Sequence, residues 1–387
     1  QGVTLSNDGY TAYVTDGNDG LQIIDISTPA SPTPIATYGT SYAYGVTLST
    51  DGNTAYVADG YTGLQIIDIS TPASPTLIAT YDTSGRAYDV ILSTDGNTAY
   101  VAGSSAGLQI IDISTPATPP ASPALIATYD TSSWAQGVTL STDGNTAYVA
   151  DDSAGLQIID ISTPATPRLI VTYDTNGDAW GVTLSADGNT AYVADYWDGL
   201  QIIDISTPAT PTLIATYDTS GFAIGVTLST DGNTVYVADY FAGLQIIDIS
   251  TPASPALIST YDTSGQARGV TLSTDGNTAY VADDSAGLQI IDLTVNSQYE
   301  PADFGSDTIS LRINNSTQTT FDLSISTDRS DIISIGSYDT ELTSDEYEGL
   351  DIDIPVFPLS GTGTTIITLT LSHDNASFVR TVYYNVY

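Results

Sequence analysis

The chain of 387 residues contains 45 acidic residues against six basic ones and carries a formal net charge of -39 at pH 7. This charge argues against binding to nucleic acid or to an anionic membrane surface, because both need clustered Lys and Arg side chains. The absence of Cys excludes disulfides and thiolate chemistry, and no apolar run of about 18 residues predicts a membrane helix or membrane insertion.

A five-residue motif recurs seven times along the chain, beginning with Gly2-Val3-Thr4-Leu5-Ser6. Each copy starts 43 to 48 residues after the previous one, and the longest interval carries an insertion near Pro119–Ser122. A period of about 40–45 residues is typical of the four-stranded blades of a β-propeller. The sequence therefore predicts an all-β chain with a seven-bladed propeller. The further copies start at Gly45, Asp89, Gly137, Gly181, Gly225 and Gly269.

Each repeat contains four short runs that predict strands. In the second repeat these are Gly45–Ser49, Thr54–Ala58, Leu64–Ile69 and Leu77–Tyr81. Asp51-Gly52-Asn53 predicts a tight hairpin between the first two strands, because these residue types tolerate left-handed backbone. The third run is apolar on both faces, which predicts a blade covered by a neighbour on either side.

The second and third strands of each repeat carry a further motif. Ala55–Asp59 is followed by Gly63–Pro72, and this pattern returns through residues 1–295. It resembles the LVIVD repeat of bacterial and archaeal surface propellers, with Gln65 where the family's name has Val. The resemblance implies a propeller and an extracellular or cell-surface location, but no single activity.

The seventh repeat predicts only three strands, at Gly269–Ser273, Thr278–Asp283 and Leu288–Leu293. It has no counterpart of Leu257–Tyr261, and an open sheet edge pairs readily with another strand. A fourth strand is expected from upstream of Gln1, which stands in the middle of a repeat. The alternatives are a strand from the C-terminal part or from another copy, which would make this blade a site of self-assembly.

The repeat stops after Leu293, and residues 296–305 are predicted to form a linker. Residues 306–387 alternate apolar and polar positions in short runs such as Thr308–Ile313 and Ile366–Leu371. About six such strands within 80 residues predict a small immunoglobulin-like β-sandwich. The predicted domains are therefore a propeller at 1–295 and a sandwich at 306–387.

Three sets of polar or aromatic residues recur in register and are interpreted as structural, because a catalytic pair would differ between repeats. Aspartates at the third strand and the first hairpin are assigned to hydrogen bonds, and tyrosines of the second strand to packing. The sets are Asp25, Asp68, Asp112, Asp160, Asp204, Asp248 and Asp292; Asp8, Asp51, Asp95, Asp143, Asp187, Asp231 and Asp275; and Tyr13, Tyr56, Tyr100, Tyr148, Tyr192, Tyr236 and Tyr280.

Two stretches differ between otherwise similar repeats. The lead-in stretch, x-Ala-x, precedes the first strand, and the middle loop joins the second strand to the third. All three Trp lie in these stretches, which meet on one face of a propeller. We predict that this face binds a glycan or a protein through aromatic contacts. The predicted face consists of Tyr42, Tyr44, Tyr61, Arg86, Tyr88, Trp134, Trp180, Tyr196, Trp197, Phe222, Tyr240, Phe241 and Arg268.

No cofactor is indicated, and calcium is the one ion for which the sequence offers a pattern. Asp174–Asp178 has the oxygen spacing of the first half of a calcium loop, without the later Glu. A plain turn is the preferred interpretation. No nucleophilic triad is apparent around His373, the one histidine, and no asymmetric carboxylate pair stands out.

Three functions remain open at this stage. The preferred one is a non-enzymatic, adhesin-like protein of the cell surface or extracellular space. The second is a structural subunit of an extracellular filament or surface layer, joined through blade seven or the C-terminal domain. The third and least favoured is a glycan-active enzyme, which would need two carboxylates within about 10 Å of each other in the propeller channel.

Overall fold

The computed structural model describes residues 2–115 and 123–293 with their side chains, and then the backbone of seven strands between 308 and 386. The chain divides into two compact units, which are described separately. The insertion near Pro119–Ser122 and the linker predicted at 296–305 lie outside the described residues. Within the described residues, no helix is long and apolar enough to cross a membrane.

Seven sheets, here called blades 1 to 7 in chain order, form the propeller, and the strands of each blade pair in sequence order. This confirms the predicted all-β, seven-bladed fold. Their strands are β1 (Val3–Leu5), β2 (Thr11–Thr15), β3 (Leu21–Asp25) and β4 (Thr33–Tyr38); β5 (Val46–Leu48), β6 (Thr54–Ala58), β7 (Leu64–Asp68) and β8 (Thr76–Tyr81); β9 (Asp89–Leu92), β10 (Thr98–Ala102), β11 (Leu108–Asp112) and β12 (Ala124–Tyr129); β13 (Gly137–Leu140), β14 (Thr146–Ala150), β15 (Leu156–Asp160) and β16 (Arg168–Tyr173); β17 (Gly181–Leu184), β18 (Thr190–Ala194), β19 (Leu200–Asp204) and β20 (Thr212–Tyr217); β21 (Gly225–Leu228), β22 (Thr234–Ala238), β23 (Leu244–Asp248) and β24 (Ala256–Tyr261); and β25 (Gly269–Leu272), β26 (Thr278–Asp283), a short 3-10 turn (Asp284–Ala286) and β27 (Gly287–Asp292).

Side-chain hydrogen bonds hold the ends of the strands. In blade 2, Asp51 Oδ1 accepts hydrogen bonds from the Ser49 hydroxyl at 2.6 Å and from the Asn53 N–H at 3.1 Å. Gly52 between them has a φ of +71°, as a tight hairpin requires. At the end of β7, Asp68 Oδ1 accepts hydrogen bonds from the N–H and the hydroxyl of Ser70. The recurring aspartates therefore have the structural role that their symmetry predicts.

The apolar runs are buried between neighbouring blades. Ile67 of β7 is fully buried and packs with Tyr13 and Ile23 of blade 1, whereas Ile66 packs with Val101 of blade 3. Burial of each such aliphatic side chain contributes about 1.5–3 kcal/mol. The seven recurring tyrosines are buried as well, which confirms the prediction that they pack the core.

The ring closes by side-chain packing between the first and last blades. Tyr280 and Ala282 of β26 form one apolar cluster with Ala12 and Val14 of β2. This contact joins blade 7 to blade 1, with Leu288 and Ile290 packed against the cluster but only partly buried. No shared strand is needed for this part of the closure.

Blade 7 has three strands within the described residues, as its repeat predicts. Leu288 and Ile290 of β27 are partly exposed, whereas Leu64 and Ile66 at the same positions of blade 2 are fully buried. The difference follows because β8 covers the outer side of blade 2. The source of a fourth strand for blade 7 stays a prediction.

After blade 7 the structure describes seven strands, arranged in two sheets of order β28-β32-β30 and β31-β29-β33-β34. The strands predicted at Thr308–Ile313 and Ile366–Leu371 lie within two of them. The immunoglobulin-like sandwich and the boundaries of the domains stay predictions. The strands are β28 (Thr308–Ile313), β29 (Thr320–Thr327), β30 (Ile333–Ile335), β31 (Glu341–Thr343), β32 (Leu350–Pro358), β33 (Gly363–His373) and β34 (Ala376–Val386).

Candidate binding face

The backbone joins each lead-in stretch to the middle loop of the preceding blade. Between blades 5 and 6, the Tyr196 N–H donates to the Ala223 carbonyl at 3.1 Å, and the Ala223 N–H donates to the Tyr196 carbonyl at 3.0 Å. The central Ala of each lead-in stretch is fully buried, so its two flanking residues point away from the core. The two variable stretches therefore share one face, as predicted. The other bridges are Gly17–Ala43, Gly60–Ala87, Ser104–Ala135, Asp152–Ala179 and Tyr240–Ala267.

The bridging residue of the middle loop has left-handed backbone in all six bridges. Tyr196 has a φ of 45° and Tyr240 a φ of 42°. Bulky residues rarely adopt this conformation, which costs an L-residue about 1–2 kcal/mol. Gly17 and Gly60 occupy the same place in blades 1 and 2 with a φ of 46° and 50°. The two tyrosines are the bulkiest residues at this position, which Gly, Ser or Asp occupies in the other blades.

Six aromatic side chains of blades 5 and 6 form one continuous row, here called the aromatic ridge. Its rings stack from Trp180 onto Tyr196 with centroids 5.4 Å apart, and from Tyr196 onto Phe222 with centroids 4.5 Å apart. Trp197 and Phe241 flank this row edge-on and are the most exposed, at 62% and 63%. The ridge consists of Trp180, Tyr196, Trp197, Phe222, Tyr240 and Phe241.

Arg268 ends the ridge at blade 7. Its guanidinium lies 4.9 Å from the centroid of the Tyr240 ring and forms an ion pair with Asp284 at 3.2 Å. It also donates to the Tyr240 hydroxyl at 3.3 Å. The charge of Arg268 is therefore already compensated within the protein.

The tyrosines of blades 2 and 3 form a smaller cluster at the mouth of the central channel. The Tyr44 ring contacts Tyr42 and Tyr88, with centroids 4.9 and 4.7 Å away. Burial, together with the neighbouring Tyr88 and Tyr42, raises the pKa of Tyr44 to about 12, so its phenol stays neutral at physiological pH. Tyr44, Tyr88, Trp180 and Arg268 all line the channel, whose volume is about 260 Å³.

Asp89 is the one acidic side chain among the described residues that line this channel. All six other repeats have Gly at this position, at the start of the first strand motif. Its Oδ1 accepts the Val90 N–H at 2.9 Å, and its Oδ2 accepts the Val138 N–H of the next blade at 3.1 Å. Burial raises the pKa of Asp89. These two bonds give it a structural role between blades 3 and 4.

A cleft opens between blades 2, 3 and 4 on the same face, here called the arginine cleft. Tyr61, Arg86, Tyr88 and Trp134 line it, and its volume is about 590 Å³. The Arg86 guanidinium lies 4.3 Å from the centroid of the Tyr61 ring. Interaction with the Tyr88 and Tyr61 hydroxyls raises the pKa of Arg86. Tyr61 is 74% exposed and Trp134 is 55% exposed, so both rings remain accessible.

A row of buried aspartates, which the sequence analysis did not single out, lies beneath the face. Asp195 directly follows β18, and its carboxylate accepts the Thr175 hydroxyl at 2.6 Å and the Gly177 N–H at 3.2 Å. It thereby holds the segment before the lead-in stretch against the middle loop. Burial raises the pKa of Asp195 and of its counterpart Asp239 to about 7. The other buried members are Asp59, Asp151 and Asp283.

Comparison of the repeats with one another would have revealed this row. An aspartate follows the second strand in six of the seven repeats, and Gly103 replaces it in the third. Asp16 is the less buried member in blade 1. The exception at Gly103 lies in the blade that carries the arginine cleft.

The calcium pattern forms a turn in the structure. Asp174 Oδ1 accepts the Asn176 N–H at 3.0 Å. Across residues 2–115 and 123–293, no three His, Asp or Glu side chains converge as metal ligands would. Calcium binding stays a prediction.

Comparison with known proteins identifies the repeats. The LVIVD repeat matches residues 3–40, 42–83, 84–131, 135–175, 176–219, 221–263 and 264–298, which together are more than half of the chain. No curated protein matches the chain.

Solved structures resemble the fold at low sequence identity. A functionally unknown protein from Desulfotomaculum acetoxidans is 18% identical, covers 67% of this chain and 84% of its own, and has a TM-score of 0.54. The β-propeller domain of Cps50 (Swd1) from Myceliophteria thermophila is 13% identical over 75% and 94%, with a TM-score of 0.62. A Bacteroides uniformis protein named as a candidate 6-phosphogluconolactonase is 14% identical over 89% and 97%, with a TM-score of 0.62. Such low identities show the fold alone.

Proposed function

The chain belongs to the LVIVD repeat family, and we propose that it is a non-enzymatic interaction protein that binds a glycan or a protein through its aromatic face. The face comprises the aromatic ridge, the tyrosines at the channel mouth and the arginine cleft. We place this activity at the cell surface or in the extracellular space. The net charge of -39 supports a partner that is neutral or carries few negative charges.

The proposal rests mainly on the aromatic ridge. The backbone bridge does not need the rings of Tyr196 and Tyr240, since blades 1 and 2 form the same bridge with Gly17 and Gly60. Tyr196 and Tyr240 instead keep bulky side chains in left-handed backbone, a conformation that tends to persist at binding sites. An exposed, rigid row of rings suits stacking on the apolar face of a sugar, with little loss of side-chain entropy.

The lining of the central channel does not support the glycan-active enzyme. Glycoside hydrolysis needs two carboxylates at a defined separation, and Asp89 is the single acid among the described channel-lining residues. Both of its oxygens accept backbone hydrogen bonds. The 6-phosphogluconolactonase name belongs to a protein that shares only the fold.

The test is to replace Trp197 and Phe241 singly by Ala and to measure binding to a glycan array and to candidate protein partners. Each substitution is expected to weaken binding about two- to tenfold, because it removes the stacking contact of one ring. Thermal stability should change little because both side chains are largely exposed. Tyr10→Ala is the matched control, since Tyr10 is 59% exposed in the first hairpin of blade 1, outside the face.

Equal binding by the wild type and both ridge variants would contradict the proposal. A large loss of stability in the variants would assign the ridge to folding instead. If neutral glycans fail and a protein partner binds through Trp197, the face is a protein-docking surface.

The three strands that blade 7 has within the described residues favour a second function, that of a structural subunit. A strand of another copy that pairs with β27 would cover Leu288 and Ile290, which are partly exposed. Such assembly should increase with concentration in sedimentation experiments. A synthetic peptide with the sequence of residues 256–261, a fourth strand of this chain, should block it. A monomer at all concentrations would exclude this function.

A further inference from the structure

We propose that the arginine cleft is a subsite for a sugar residue that carries a single carboxylate, a hexuronate. This inference rests on the proposed binding of glycans by the aromatic face and names the ligand class of one part of it. Three features of blade 3 and its neighbours support it. Arg86 has no carboxylate partner, Gly103 replaces an aspartate, and the cleft is lined by both aromatic and polar side chains.

Arg86 is held in place but has no carboxylate partner. Its guanidinium lies over the Tyr61 ring at 4.3 Å and interacts with the Tyr88 hydroxyl. The one ion pair among the described residues is that of Arg268 with Asp284. A planar guanidinium that stacks on a ring keeps its edge N–H groups in a fork that matches a carboxylate. Arg168, the third arginine of the propeller, also has no ion pair within the described residues but is exposed on β16, whereas Arg86 lines a cleft in which its free edge fits an anionic ligand.

Gly103 removes the acid that other blades place at this point. In blade 5, the Thr175 hydroxyl donates to the buried Asp195 carboxylate. In blade 3, the corresponding Thr83 hydroxyl donates to the Gly85 carbonyl at 2.8 Å. A Cβ at Gly85 would lie 2.5 Å from the Gly103 carbonyl oxygen, so residue 103 lies directly against the segment that carries Arg86. The replacement therefore makes the floor of the cleft less negative.

The remaining lining suits a sugar acid better than a phosphate. Trp134 offers an exposed indole face for stacking on a pyranose ring. Asp82 also lines the cleft, together with the hydroxyl groups of Ser104 and Ser105. A carboxylate in the wall accepts hydrogen bonds from sugar hydroxyls and disfavours a doubly charged phosphate more than the single charge of a hexuronate. The volume of about 590 Å³ lies within the range of small-ligand pockets.

The experiment compares hexuronate-containing disaccharides, each paired with its carboxyl-reduced neutral counterpart, by calorimetry on the full chain. Inorganic phosphate and an acidic tetrapeptide serve as competing anions. Arg86→Gln and Gly103→Asp are the two variants, because the seventh repeat has Gln266 at the first position and six repeats have Asp at the second. Arg168→Gln, an exposed position on β16, is the matched control.

The wild type should bind at least one hexuronate about tenfold more tightly than its neutral counterpart, the gain expected for a charge-assisted pair. Both variants should lose this preference and remain folded, whereas Arg168→Gln should keep it. Loss of the preference in Arg86→Gln alone, with Gly103→Asp unchanged, would overturn the role given to Gly103.

Neutral disaccharides that bind through Trp197 without any preference for a hexuronate would overturn this inference and leave the proposed function intact. Phosphate or the acidic peptide competing as strongly as the hexuronate would overturn the ligand class. Failure of all sugars, neutral and acidic, would overturn both this inference and the binding of glycans.

Discussion

The buried aspartates beneath the binding face predict that the propeller becomes more stable as the pH falls from 8.5 to 5. Asp195 has a pKa of about 7 in the folded state, because burial penalises its charged form, against 3.8 as the ordinary value. The folded protein therefore binds this proton more tightly than the unfolded chain does. Stability falls as the pH rises from 3.8 through about 7, where the buried carboxylate ionises.

The size of the effect follows from the two pKa values. A difference of one pKa unit corresponds to about 1.36 kcal/mol, so ionised Asp195 costs the folded state up to roughly 4 kcal/mol above pH 7. In Asp195→Asn, the amide oxygen still accepts the Thr175 hydroxyl, and the residue no longer titrates. The fall in unfolding free energy between pH 5 and pH 8.5 should therefore be smaller in the variant by about 2.7 kcal/mol, because the pKa of Asp195 lies only about 2 units above pH 5.

The assay is denaturant unfolding at pH 5, 7 and 8.5 in high salt, which screens the general repulsion of an acidic protein. Asp187→Asn is the matched control, because it removes the same charge from the surface of the same blade. The Ser185 hydroxyl and the Asn189 N–H lower the pKa of Asp187. Its stabilising effect is present above pH 3.8 and is lost only below that range, so its curve should run parallel to the wild type. A parallel curve for Asp195→Asn as well would refute the reasoning.

Two further predictions concern the core and the strained loops. Ile67→Ala should lower the unfolding free energy by about 2–5 kcal/mol, because Ile67 is fully buried between blades 1 and 2. Leu77→Ala on the outer strand, where Leu77 is 49% exposed, should cost less than about 1 kcal/mol, and equal costs would argue against burial between blades. Tyr196→Gly copies Gly60 of blade 2 and should leave the unfolding free energy nearly unchanged, since relief of about 1–2 kcal/mol of backbone strain offsets the lost stacking. Its binding should weaken as in Trp197→Ala, and a stability loss above about 3 kcal/mol would show that Tyr196 serves folding.

The sequence by itself determined the number of blades, the strand positions and the face that varies. These features are local or repeated, so a comparison of the seven copies of the repeat shows which positions are constant and which vary. The hairpin of Asp51 and the buried run around Ile67 follow from turn chemistry and from residues that are apolar on both sides of a strand. The fixed Ala of the lead-in stretch predicted the projection of its neighbours, and the bridge from Ala223 to Tyr196 explains why both stretches share one face.

Only the tertiary structure decided which charges and rings belong together. Arg86 and Arg268 lie on opposite flanks of the lead-in Ala. Arg268 pairs with Asp284 in the middle loop of its own blade, whereas Arg86 lies beside Tyr61 and Tyr88. Asp195 and Asp187 stand eight residues apart in one repeat. Burial raises the pKa of Asp195, whereas Asp187 is exposed and the hydrogen bonds of its hairpin lower its pKa. Side-chain environments of this kind depend on contacts between segments that are distant in the chain, and a repeat pattern does not encode them.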